Sequence, residues 1–374
     1  MENKKSIYNL YYEWWKNIDK LIFSLIILLF LIGLFFSLVS TSLIASDKLD
    51  TNDYSFFFKH LTFIFLGIII IFTLSSLNQE LLFKFSIFIF FLSLLFLILV
   101  PFIGVEIKGS KRWLDLNFLP RFQPIELVKP FLIISISLIL SSQQNMNIHI
   151  KYLISFFITL IVASLLATQP DIGQTLLVFL SWVILIFTSG ISIIFLTILF
   201  FSILIVFLYL IFFVSKFEYI KNRLLSFFDS ETGTHNFQSD KAIESIISGG
   251  FFGKGIGEGT LKNRVPEAHT DYIISVISEE FGVIAIILVL LLFLILIYSV
   301  FKKIYLENEQ KTKLILVGCI SLILIQAMIH IGVNIRLFPT TGMTLPFISY
   351  GGSSIISISI LSGIILNLTK RKVL

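Results

Sequence analysis

Long apolar runs separated by short polar segments dominate the chain. Windows of about 20 predominantly apolar residues recur ten times, and these runs lack the alternation with period 2 that barrel strands would show. They lie near residues 21–45, 60–77, 81–104, 125–142, 152–168, 173–190, 191–214, 273–301, 312–334 and 350–368. The pattern predicts an all-α integral membrane protein, a single domain over residues 1–374 built as a polytopic bundle of about ten transmembrane helices.

Composition agrees with this pattern. The chain is 56% hydrophobic and only 14% charged, against about 25% charged residues in a typical soluble domain. The only cysteine, Cys319, lies within an apolar run and excludes an internal disulfide framework. The basic and aromatic N-terminal segment lacks a cleavage site of small residues, so we expect no removable signal peptide.

Lysine and arginine in the short segments between the runs predict the orientation. Three segments are basic: the N-terminal segment (Lys4, Lys5, Lys16, Lys20), the loop 301–313 (Lys302, Lys303, Lys311, Lys313) and the C-terminal tail (Lys370, Arg371, Lys372). Ten spans place all three on one side, which should be the cytoplasm. We therefore expect both termini in the cytoplasm and the acid-leaning first loop outside.

Two segments predicted to lie outside depart from this charge rule. The short segment 109–124 holds Lys111, Arg112 and Arg121, either to pair with lipid headgroups or to bind an anionic ligand presented from the membrane. The other segment, about residues 215–272, follows the seventh span. It is a large extracytoplasmic loop, too long for a simple connection, and such loops often carry function.

The glycine-rich stretch SGGFFGKGIGEGT occupies residues 248–260 in this loop. It satisfies neither the Walker A nor the GxGxxG pattern, and no strand precedes it, so a nucleotide site is unfavoured. Its glycines predict a tightly folded loop whose backbone approaches a ligand or the membrane surface.

Charged residues also stand at the ends of apolar runs. Glu126 and Lys129 lie three residues apart on one helical face, as a structural pair or as a pair facing a polar cavity. Asp171 follows a helix break, where it could cap the sixth span or pair with Lys129 across the bundle.

Two further polar stretches interrupt the apolar pattern. Residues 334–354 contain prolines and glycines that predict a broken backbone walling a cavity. The stretch VPEAHTDYIISVISEEFG begins at Val265, and either Thr270 or Asp271 could cap the helix that follows. Glu279 and Glu280 lie about two turns inside that helix, where a carboxylate needs a partner or water.

Four motifs occur in the order found in the SEDS family (shape, elongation, division and sporulation proteins). They are GSKRWLDL…RFQPIELVKP, TQPDIGQT, SGGFFGKGIGEG…PEAHTDYI…EEFG and PTTGMTLPFISYGGSS. The resemblance covers essentially the whole chain. PEAHTDYI and TLPFISYGGSS, with WWKNID before the first span, are more similar to the division-type than to the elongation-type members.

The resemblance implies a peptidoglycan glycosyltransferase that polymerises lipid II at the outer face of the bacterial cytoplasmic membrane, and the division-type similarity implies the septum. It implies that Asp271 is the catalytic residue and that a class B penicillin-binding protein, with other membrane proteins of the divisome, is the partner. We expect no nucleic-acid partner. The candidate substrate-binding residues are Lys111, Arg112, Trp113, Arg121, Glu126, Lys129, Asp171, Glu267, His269 and Ser353.

The residues suit this chemistry. A carboxylate at position 271 could take the proton from the acceptor 4-hydroxyl as it attacks the anomeric carbon. Basic residues could stabilise the departing pyrophosphate, together with a divalent cation, Mg²⁺ or Mn²⁺. Two other functions stay open: a flippase that moves lipid II across the membrane, and a scaffold without activity that recruits or activates the penicillin-binding protein.

Overall fold

A computed structural model describes residues 7–48, 55–107, 109–116, 120–143, 146–214, 217–228, 237–259 and 268–370. The helices are α1 (Ile7–Asn17), α2 (Lys20–Lys48), α3 (Ser55–Ser76), α4 (Gln79–Ile103), α5 (Pro124–Leu140), α6 (Ile148–Thr168), α7 (Ile172–Thr188), α8 (Ile193–Phe213), α9 (Glu218–Phe228), α10 (Phe237–Gly249), α11 (Ile273–Leu306), α12 (Gln310–Asn334) and α13 (Gly352–Leu368). The strands are β1 (Val105–Ile107) and β2 (Ser110–Trp113).

Each of the ten apolar runs forms a helix. Among the described residues, seven helices are long and apolar enough to cross a membrane. The other three, α5, α7 and α13, have 17 residues each. The chain is therefore a nearly all-α membrane protein with several spanning helices.

The interior of the bundle is formed by α5, α12, α13 and the first two turns of α11. Almost every side chain of α5 between Pro124 and Ser137 is buried, and α13 is buried along most of its length. Around this centre α3 packs on α13, α4 on α5, and α7 on α12. The outer helices expose large apolar side chains such as Phe65, Phe88 and Ile161, as expected where lipid replaces water.

The prediction of an all-α protein was wrong in one detail. Strands β1 and β2 form an antiparallel hairpin directly after α4. Gly109 makes the turn with φ of +76°, a conformation that favours glycine. The hairpin places Arg112 beside the start of α7, so Lys111 and Arg112 of the basic segment stand on a strand.

The prediction of one large loop over about residues 215–272 was incomplete, because α9 and α10 lie within it. Ser239, Ala242 and Ser245 of α10 are buried at three-residue spacing, which is the face that packs on α11. Because the buried residues of this face have small side chains, the periodic pattern of large apolar residues that usually indicates a packed helix is weak in the sequence.

Candidate active site

Asp271 lies in a turn formed by residues 268–272, just before α11. Its side chain is half-buried, and its backbone carbonyl accepts a hydrogen bond from Asn334 Nδ2 at 3.0 Å. A Cβ atom on Gly342 would lie 3.7 Å from Asp271 Oδ2, so the broken segment after α12 faces this carboxylate. The end of α12 and the segment that follows it thus fix the position of the turn.

The prediction that Thr270 or Asp271 caps α11 was wrong. The N-cap residue is Tyr272, and it makes no side-chain capping bond. Neither Thr270 nor Asp271 is in the capping position, because the helix begins only at Ile273. Asp271 therefore belongs to the turn and not to the capping position of the helix.

Asp171 caps α7, as predicted: its Oδ1 accepts from Gln174 N at 3.3 Å. Its cationic partner is Arg112, with Nη1 3.7 Å from Oδ2, and the alternative of a pair with Lys129 was wrong. Gln123 Nε2 also donates to Asp171 Oδ2 at 3.0 Å. Strand β2 brings Arg112 close enough for this pair, a contact that spacing along the chain could not indicate.

Arg112 also fixes the hairpin to the turn between α6 and α7. Its Nε donates to the carbonyl of Gln169 at 3.1 Å, and Nη2 donates to that of Pro170. The same side chain thus satisfies two carbonyls at the end of α6 and the capping carboxylate of α7.

Glu126 and Lys129 form a buried ion pair, with Nζ and Oε2 2.9 Å apart. Gln174 Nε2 donates to Glu126 Oε1 at 2.8 Å, and Lys129 Nζ lies 3.5 Å from Gln326 Oε1. Gln326 in turn donates to the carbonyl of Thr344 at 3.0 Å. The pair therefore links α5, α7, α12 and the broken segment in one polar network, as expected for buried charges.

Ser353 joins the same region from the first turn of α13. Its hydroxyl accepts from the backbone N–H of Gln123 at 3.1 Å. Because Gln123 also binds Asp171, the start of α13 is linked to the Arg112–Asp171 pair.

The remaining predicted site residues lie nearer the surface. Lys111 is exposed and Trp113 is half-buried on β2, and Arg121 pairs with Asp115 at 2.7 Å while still 58% exposed. His269 contacts the rings of Phe56 and Tyr350. Glu267 lies outside the described residues.

Sequence reasoning left Glu279 and Glu280 without a role, and both hold the glycine-rich segment. Lys254 Nζ lies 3.2 Å from Glu279 Oε1, and Ser245 donates to Glu279 Oε2 at 2.9 Å. The backbone N–H of Gly257 donates to Glu280 Oε2 at 3.2 Å. The close approach seen in the structure is to α11 of the same chain, and an approach to a ligand or to the membrane surface stays a prediction.

Three amides of the network were also missed: Gln123, Gln326 and Asn334. Gln326 and Asn334 are polar residues inside an otherwise apolar helix, and both are buried. Such residues are rare in spans and usually face the interior of a bundle, which is the signal that could have found them.

The described residues provide no ready metal site. Within them, no three or more His, Cys, Asp and Glu side chains group closely enough to hold a metal ion. Two buried carboxylates of the network, Glu126 and Asp171, already have cationic partners. A divalent cation would therefore depend on oxygen atoms of a bound phosphate in addition to a single carboxylate.

Helices, hairpin and charged network together define a multi-pass membrane protein with a polar site at one end of its bundle. Residues 19–373 match the family model of FtsW, RodA and SpoVE, described as cell cycle proteins. The chain belongs to this family, which confirms the resemblance found in the sequence.

Relatives and solved structures agree with this assignment. The chain is 31% identical over 361 residues to the "Probable peptidoglycan glycosyltransferase FtsW" of Caulobacter vibrioides, covering 96% of this chain and 91% of that protein. It is 32% identical over 368 residues to the protein of the same name from Wigglesworthia glossinidia brevipalpis, covering 96% and 93%.

Among solved structures, the chain superposes with a TM-score of 0.77 on a chain from a peptidoglycan synthase complex that coordinates polymerization and crosslinking. The two chains are 25% identical, and the match covers 94% of this chain and 97% of that one. A mutant of the rod shape determining protein RodA from Thermus thermophilus gives a TM-score of 0.69 at 26% identity, with coverage of 94% and 97%.

Proposed function

We propose that the protein is a peptidoglycan glycosyltransferase that polymerises lipid II into glycan strands, with Asp271 as general base. The observation that carries this proposal is the position of Asp271. Asn334 holds the backbone of the Asp271 turn, the Asp271 carboxylate faces Gly342, and Asp271 is not the N-cap residue of α11. The names of the relatives, from Caulobacter and Wigglesworthia among others, support the same activity.

The reaction needs one proton acceptor. The 4-hydroxyl of the acceptor sugar attacks the anomeric carbon of the donor, the bond to the lipid pyrophosphate breaks, and the hydroxyl proton passes to Asp271. General base catalysis of this kind typically contributes about 10²–10⁴-fold. Inversion at the anomeric carbon requires no covalent enzyme intermediate.

The departing pyrophosphate needs positive charge. Lys129 is buried and paired with Glu126, and Arg112 is engaged by Asp171 and two carbonyls. We therefore assign the pyrophosphate mainly to the exposed Lys111 and Arg121. We place Trp113, His269 and Ser353 along the sugars, and Glu267 stays a prediction from the sequence. We give Glu126, Lys129 and Asp171 the task of holding the site in shape.

The proposal includes an orientation. We place ten spans in the cytoplasmic membrane, both termini in the cytoplasm, and α9, α10 and Asp271 outside, where the sugars lie. We further propose that the protein acts at the division septum with a class B penicillin-binding protein and other membrane proteins of the divisome. The match to a chain from a synthase complex supports such a partner.

Labelled lipid II supplied to the purified protein tests this function. We expect Asp271→Asn to lower the rate of polymer formation by at least about 100-fold while lipid II binding and thermal stability are retained. Glu244→Gln is the matched control, because Glu244 is an exposed carboxylate on α10 paired only with Lys241 in the described structure. Such a surface pair contributes little, so this variant should keep full activity.

The outcomes separate the alternatives. Transport of lipid II by a protein that forms no polymer, even with its partner, would establish the flippase. Full polymer formation by the complex that contains Asp271→Asn would exclude Asp271 as the base and would favour the scaffold without activity. The same assay also tests the proposed divalent cation. Polymer formation should stop when divalent cations are removed with a chelator, and it should recover when Mg²⁺ or Mn²⁺ is restored.

A further inference from the structure

His60 of α3 is a buried imidazole with unsatisfied hydrogen-bonding groups. Its side chain is 0% exposed. Neither Nδ1 nor Nε2 has a hydrogen-bond partner within the described part of the chain. Leaving a buried polar group in this state is costly, and native structures rarely keep one without a reason.

Two half-buried rings, Phe56 and Tyr350, lie between His60 and His269 of the turn that holds Asp271. The His60 ring centroid lies 5.8 Å from that of Tyr350, and Phe56 lies 5.7 Å from Tyr350 and 5.0 Å from His269. The N–H of Tyr350 donates to the carbonyl of His269 at 3.1 Å. His60 therefore lies beneath the contact that joins the start of α13 to the turn of Asp271.

The packing around His60 leaves α3 little room to move. A Cβ atom on Gly352 would lie 2.5 Å from the ring of Phe63, and one on Gly67 would lie 2.3 Å from Ser359 Oγ. Close contact along α3 and α13 therefore fixes the imidazole under the ring of Tyr350. A leucine would fill a similar volume without any unsatisfied nitrogen, so the imidazole does not serve packing alone.

We propose that His60 is a positioning residue: it hydrogen-bonds a hydroxyl group beside Tyr350 and so fixes the pairing of Tyr350 with His269 and the position of Asp271. The hydroxyl belongs either to an internal water or to a sugar of the substrate. Imidazole can donate from one nitrogen and accept at the other, which suits a hydroxyl group. This inference rests on the proposed function.

Three variants test the role of His60. His60→Phe keeps an aromatic ring, one atom larger, and removes both polar atoms, whereas His60→Gln keeps a donor and an acceptor. Thr62→Val is the control on the same helix, because the exposed Thr62 hydroxyl bonds only its own helix, at the carbonyl of Phe58. The measurements are kcat and KM for lipid II, thermal stability, and hydrogen exchange at the amide of Tyr350.

We expect His60→Phe to lower kcat/KM by at least about 10-fold, since small misplacements of a reacting group are costly. Its thermal stability should be unchanged or higher, because an unsatisfied polar group has been removed. His60→Gln should recover at least about half of the lost activity. A loss confined to kcat assigns the hydroxyl to water, and a raised KM assigns it to the substrate.

Two results would overturn the inference: wild-type activity in His60→Phe, or equal loss in His60→Gln and His60→Phe. Failure of the proposed function is distinct, because then the wild-type protein itself forms no polymer. In that case faster exchange at the Tyr350 amide in His60→Phe, but not in His60→Gln, still supports the positioning role. Unchanged exchange refutes it.

Discussion

Single glycines decide how the glycine-rich segment meets α11. Gly253 has φ of +78°, and a Cβ atom there would lie 2.1 Å from the carbonyl oxygen of Glu280. Gly255 has φ of +110°, but the nearest atom to its Cβ position is Glu258 Cγ at 3.7 Å. Both positions disfavour other residues, and only Gly253 adds a steric conflict with backbone.

This difference predicts unequal effects of two alanine substitutions. Gly255→Ala should cost about 1–3 kcal/mol through its backbone conformation, and Gly253→Ala should cost more. Hydrogen exchange at the amides of Lys254 and Gly255, which donate to the carbonyls of Glu279 and Glu280, measures the docking directly. We expect faster exchange in Gly253→Ala than in Gly255→Ala. Equal exchange would contradict the steric argument.

At the scale of elements, α5 carries a buried ion pair through the centre of the bundle. Glu126 and Lys129 connect α5 to α7 through Gln174 and to α12 through Gln326. Breaking such a pair by removing one partner costs about 3–5 kcal/mol, whereas replacing both is often nearly neutral. The pair therefore specifies how α5 is oriented more than it stabilises the fold.

This reasoning predicts that the double variant is more stable than either single one. Glu126→Gln leaves a buried ammonium, and Lys129→Met leaves a buried carboxylate. The double variant Glu126→Gln with Lys129→Met leaves neither. Thermal unfolding of the purified protein should show both single midpoints well below the wild-type value and the double midpoint above both. A double variant less stable than both single variants would contradict the argument.

The sequence anticipated these elements unevenly. All ten apolar runs became helices, and the i, i+3 spacing of Glu126 and Lys129 correctly indicated a pair. Helix α10 was not anticipated, because its packed face consists of small residues. The partner of Asp171 was not anticipated either, because Arg112 is 59 positions earlier and comes near only through the hairpin.

At the scale of the molecule, the helix ends lie on two opposite faces of the bundle, and contacts between neighbouring ends show which ends share a face. The start of α2 and the end of α11 meet through Asp19 and Lys303, 2.7 Å apart. Asn367 near the end of α13 donates to the carbonyl of Leu74 near the end of α3 at 2.7 Å. These ends form the basic face of the bundle, and Asp271 lies at the opposite face.

Accessibility of introduced cysteines tests the orientation. Cys319 is buried, so cysteines placed on the surface of the protein should react selectively. In spheroplasts a membrane-impermeant maleimide should label Glu244→Cys on α10. It should label Asn308→Cys, between α11 and α12, only after lysis. Labelling of Asn308→Cys in intact spheroplasts would reverse the proposed orientation.

The sequence by itself determined the class of protein, the ten apolar helices and the family, because apolar length and short motifs are local properties of the chain. Through the resemblance of its motif to the family, it also predicted Asp271 as the catalytic residue. Only the tertiary structure decided that Arg112 is the partner of Asp171, that Glu279 and Glu280 hold the glycine-rich segment, and that His60 lies beneath the turn of Asp271. The physical reason is that these contacts join residues far apart in sequence, and packing alone brings them within hydrogen-bond distance.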